Sequence, residues 1–73
     1  MVTWNLSEIA RLMAARSYPT RASVGEAAGL SLPTMYNITA SGPLSRLDIP
    51  TFQALVRVLK PASPWDLLTY TPD

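Results

Sequence analysis

Seven prolines in 73 residues set the scale of anything this chain can build. Proline has no N–H and its ring blocks the preceding turn, so a helix tolerates it only in the first turn. Pro19, Pro33, Pro43, Pro50, Pro61, Pro64 and Pro72 act as punctuation, at helix starts, after helix ends and in loops. Every helix must therefore be short. At this length the chain reads as one domain, residues 1–73, near the lower limit of what folds alone. It shows no internal repeat, low-complexity tract or second-domain linker.

Within that punctuation, residues 20–40 read TRASVGEAAGLSLPTMYNITA. The pattern predicts two short helices joined by a tight turn, a helix-turn-helix. Thr20 is an N-cap, Val24 and Ala28 lie i, i+4 on the first helix, and Gly25 is small where the second helix must come close. Gly29 takes the positive φ that ends the first helix, and Leu30 is the apolar plug behind it. Ser31 caps the second helix, Pro33 sits in its first turn, and Met35 and Ile38 face inward at i, i+3.

The flanks follow the same grammar. Asn5 with Glu8 three residues on has the form of a capping box, and Leu6, Ile9, Ala10 and Met13 form one buried stripe of a helix that runs to about residue 16. Asp48 and Pro50 open a fourth helix with its stripe at Phe52, Leu55, Val56 and Leu59. Val58 falls off that stripe and reads as an exposed, dimer-forming position. Ser63-Pro64-Trp65-Asp66 opens a fifth short helix that brings Trp65, Leu67 and Leu68 onto the core. For the ends, two readings stand. Val2-Thr3-Trp4 and Thr69-Tyr70-Thr71 pair as a short ribbon, or Trp4 and Tyr70 cap the core from loops. The expected fold is all-α, five helices around a central helix-turn-helix. Its core is expected to be Leu6, Ile9, Met13, Val24, Ala28, Leu30, Met35, Ile38, Phe52, Leu55, Val56 and Leu59.

The stretch 20–40 resembles the helix-turn-helix of the Cro and phage-repressor family, the lambda-repressor-like group. The opening M-V-T-W-N-L, the run Arg46-Leu47-Asp48-Ile49-Pro50-Thr51-Phe52, and the close D-L-L-T-Y-T-P-D are similar to a subgroup of very small bacterial members. The resemblance implies a lambda-repressor-like domain in which the helix after Gly29 enters the major groove of DNA. It also implies base contacts from Leu32, Pro33, Tyr36 and Asn37. By periodicity the same four residues are left on the outer face of that helix. Asn37 suits adenine, and Leu32 and Pro33 suit a thymine methyl. Arg21, Ser31, Thr34, Ser41 and Arg46 are the expected phosphate contacts.

Charge is thin for that role. Six Lys and Arg oppose five Asp and Glu, a net charge of +1, whereas nucleic-acid binders usually carry a basic patch. A second reading therefore stands beside the first: a protein-interaction module, or an antitoxin-like partner-binding protein on the same fold, using the Leu32-Pro33-Tyr36 surface. An enzyme is rejected. There is no His and no Cys, Lys60 is the sole lysine, and no glycine-rich phosphate loop occurs. No metal site, cofactor or small-molecule ligand domain is expected. No apolar run approaches the roughly 18 residues of a membrane span, so a soluble, cytoplasmic, bacterial or phage protein that works as a homodimer on double-stranded DNA is the expectation. Asn37→Ala should relax sequence preference, while Arg46→Ala should weaken retention of all duplexes alike; competition binding with mixed duplexes separates the two.

Overall fold

A computed structural model describes residues 1–40, 44 and 48–72 of the protein. In chain order the elements are β1 (Val2–Trp4), α1 (Leu6–Ala15), α2 (Arg21–Ala28), α3 (Leu32–Thr39), α4 (Ile49–Leu59), a 3-10 turn (Pro64–Leu67) and β2 (Leu68–Tyr70). The expectation of an all-α, five-helix fold is corrected. Four α-helices and a two-stranded antiparallel sheet are found among the described residues. The segment expected to be a fifth helix is a single 3-10 turn that passes directly into a strand.

That difference has a physical cause. The Ser63 N–H donates to the Asp66 carboxylate at 3.1 Å, the return arm of an α-helical capping box. The Leu68 N–H then donates to the Trp65 carbonyl, three residues back, and closes the turn tightly. The Leu67 carbonyl is already taken by the Asn5 N–H at 2.8 Å. From there the chain runs alongside β1, pairing Trp4 with Leu68, Thr3 with Thr69 and Val2 with Tyr70. Of the two readings of the termini, the paired ribbon is the one present.

Helix ends follow local chemistry. Asn5 accepts from the Glu8 N–H, but the Glu8 carboxylate turns to Arg11 and does not close the expected box. Thr20 and Ser23 form a reciprocal box at α2. The Ser31 hydroxyl accepts the Thr34 N–H at 3.3 Å. Gly29, at φ +73°, ends α2 and lets the Leu30 N–H reach back to the Gly25 carbonyl at 2.8 Å. Ser17 and Lys60 take the same left-handed conformation after α1 and α4 without being glycine.

The core centres on Leu55, Leu59, Leu67, Val24 and Met35. Phe52 lies between Trp4, 6.4 Å away, and Trp65, 5.6 Å away and stacked on it. Three expectations shift. Leu12 is buried while Met13 only packs against the core, because α1 meets both α4 and the 3-10 turn. Leu6, Leu30 and Val56 are likewise half-buried. Val58 is 7% exposed and belongs to the core, so it offers no dimer surface.

Two glycines tie this architecture together for different reasons. A Cβ on Gly25 would stand 2.8 Å from the Met35 side chain and 3.1 Å from the Leu30 carbonyl oxygen. Gly29 has open space around it and only its conformation to protect. Gly25→Val should therefore cost about 1–3 kcal/mol by overpacking, and Gly29→Val about 1–2 kcal/mol by backbone strain. Gly29→Asn should recover much of the second loss while Gly25→Asn recovers none of the first, as read by urea unfolding followed by far-UV circular dichroism.

Candidate nucleic-acid interface

The surface of interest is built by the orientation of α3. Met35 and Ile38 are 1% and 3% exposed, locked against α2 and α4. The remaining face carries Leu32 (44% exposed), Pro33, Tyr36 (51% exposed) and Asn37, all turned to solvent. The expected base-contacting residues thus share one face. Asn37 also borders a groove of about 270 Å³ that runs past Thr34 and Ile38 to Trp4 and Thr51.

Ser31 and Thr34 meet at the N-terminus of α3, their hydroxyl oxygens 2.9 Å apart. One hydroxyl hydrogen is spent within the pair, which leaves the other free to donate outward. Pro33 has no N–H and the Thr34 N–H is capped by Ser31. Of the two N–H groups in the first three residues of α3, that of Leu32 has no side-chain cap.

Arg21 is the charged member of the site. Its Nη1 donates to the Thr39 hydroxyl at 2.8 Å, and its guanidinium lies 5.0 Å from the centre of the Tyr36 ring. The first residue of α2 is thereby braced across α3, and its charge is brought to the edge of the exposed face. Thr39 was not foreseen. Its one local sequence signal is its place one turn after Tyr36. Ser41 and Arg46, the remaining expected phosphate contacts, lie outside the described residues.

The other described arginines are committed elsewhere. Arg16 donates from Nε to the Leu59 carbonyl at 3.1 Å and from Nη2 to the Lys60 carbonyl at 2.9 Å. It caps the C-terminus of α4. Arg57 donates to the Ala28 carbonyl at 3.2 Å and caps α2 in the same way. Both place positive charge at the negative end of a helix. Arg11 pairs with Glu8, whose carboxyl is held below the usual range by the hydrogen bond from that guanidinium. The pair is exposed, so it adds little to stability. Glu26 lies exposed on α2, opposing part of the field of Arg21.

Among the described residues no three His, Cys, Asp or Glu side chains come together as a metal site, and no helix is long and apolar enough to cross a membrane. Compared with models of protein families, with curated proteins and with solved structures, the chain matches none.

The arginines should therefore sort by substitution. Arg16→Ala removes two hydrogen bonds from a charged donor and should cost about 1–2 kcal/mol of stability, discounted for partial exposure, with Arg16→Lys restoring only part of it. Arg21→Ala should leave the unfolding midpoint almost unchanged and act on ligand retention instead. Paired urea melts and duplex-binding assays on the two variants check this.

Proposed function

We propose that the protein is a sequence-specific DNA-binding regulator of repressor type that lays α3 in the major groove and acts by occupying an operator. One observation carries this: Leu32, Pro33, Tyr36 and Asn37 stand together on the outer side of a helix whose inner side is fixed by Met35 and Ile38. A helix held firmly at its back and free at its front is the element that reads base edges. Arg21 at the edge, and the Ser31–Thr34 hydroxyl pair at the N-terminus, supply contacts to flanking phosphates. The resemblance of residues 20–40 to the Cro and phage-repressor family supports the same reading. On this reading the protein works in the cytoplasm and needs no cofactor.

With so few free cations, one subunit neutralises two or three phosphates, counting Arg46. A homodimer would double those contacts and place two half-sites about 34 Å apart, one helical turn. With Val58 inside the core, the terminal ribbon and the 3-10 turn beside it are the surfaces left from the sequence reading for such a contact.

A protein partner for the same face is the second reading, favoured by the exposed Leu32 and Tyr36 and by the use of Arg16 and Arg57 as helix caps. Salt separates the two. Fragmented genomic DNA retained on the pure protein at low salt should yield a repeated two-fold motif, and affinity should fall with a log-log slope of about −2 to −3 per subunit. Retention of no duplex at low salt, with a salt-insensitive protein captured instead, would transfer the function to the second reading.

A further inference from the structure

We infer that α3 reads A·T base pairs, through thymine methyl groups and adenine, and lacks the charged side chains that select guanine or cytosine. The inference rests on the DNA-binding reading and names the class of duplex it selects. It follows from the chemistry that α3 exposes. Guanine presents two acceptors in the major groove and is selected by the paired donors of Arg or Lys; cytosine presents a donor and is selected by a carboxylate. The sequence of α3, LPTMYNIT, contains none of these. Adenine presents an acceptor beside a donor, which the Asn37 amide matches with both its groups. Thymine alone carries a methyl group in the groove, and Leu32 and Pro33 offer an exposed apolar surface one turn before Asn37.

Among the described residues, the guanidinium beside α3 does not supply the missing donors. Arg21 is held by the Thr39 hydroxyl and lies over the Tyr36 ring, at the flank of α3, placed for backbone phosphate. The Ser31–Thr34 hydroxyl pair and the Tyr36 hydroxyl can each pair with any base and so select none. Asn37 is therefore the one bidentate group on the contact element, with an apolar patch beside it, and both favour the same base pair read from its two strands.

The test is selection from a randomised duplex pool about three helical turns long at low salt, followed by resynthesis of the recovered duplex with deoxyuridine for thymine or 7-deazaadenine for adenine. Each methyl lost at a contacted thymine should weaken binding about fourfold, and Leu32→Ala should abolish that difference without altering the fold. With 7-deazaadenine, wild-type binding should fall and the Asn37→Ala variant should be indifferent. Recovered half-sites whose Asn37-dependent positions are G·C, or binding unchanged by deoxyuridine, would overturn the inference while leaving the DNA-binding reading intact. Retention of no duplex from the pool would overturn both.

Discussion

The absence of a side chain at residue 25 decides which way α3 faces. With a bare Cα there, Met35 lies flat against α2, in space that a Cβ would enter at 2.8 Å. The turn leading to that contact is fixed from the other side, because Gly29 is left-handed and the Leu30 N–H returns to the Gly25 carbonyl itself. One residue thus provides both the close approach and the acceptor that ends the helix. Once Met35 and Ile38 are seated, the 3.6-residue period leaves Leu32, Pro33, Tyr36 and Asn37 no inward position. The composition of the outer face is thus a consequence of packing at a single point on α2.

Short helices make a second demand that shapes the charge distribution. Each leaves unsatisfied carbonyls at its C-terminus, and in helices of eight to eleven residues those ends are a large share of the backbone. The chain meets part of that demand with long-range cations: Arg57 reaches from α4 to the end of α2, and Arg16 reaches from beyond α1 to the end of α4. These contacts fasten consecutive layers of the domain. They also direct two of its five arginines, both still exposed, to helix ends whose partial negative charge offsets part of theirs.

The parts legible in the sequence are those governed by local chemistry. Thr20, Ser31, Gly29 and Pro33 each fix a helix end through their own backbone or hydroxyl, and the helix-turn-helix follows from them. The parts that were not legible depend on distant residues. Ser63-Pro64-Trp65-Asp66 opens a 3-10 turn with the same capping residues as an α-helix; the difference arises when Asn5, at the other end of the chain, takes the Leu67 carbonyl. Val58 falls outside the stripe of a helix buried on one side, yet α4 is covered from more than one direction. Arg16 gains its partners only when α4 delivers its final carbonyls to it. At the candidate site, the exposed face of α3 could be read from periodicity, but the bracing of Arg21 by Thr39 and Tyr36 could not, since it requires two helices in register.

If α3 does meet DNA, its lack of charge sets the balance between affinity and selectivity. Non-specific binding comes almost entirely from phosphate neutralisation, and that part is small when few cations are free. Base-edge contacts from Asn37 and apolar contacts from Leu32 and Pro33 are lost on the wrong sequence whatever the charge. A protein built this way gains little from random duplex, so a larger fraction of its total binding energy depends on sequence. The cost is a weak single-subunit complex, which two-fold pairing of subunits offsets by repeating the same small contact set on a second half-site. Restricting cations to the fold and leaving the reading helix neutral are, in that sense, one choice with two effects.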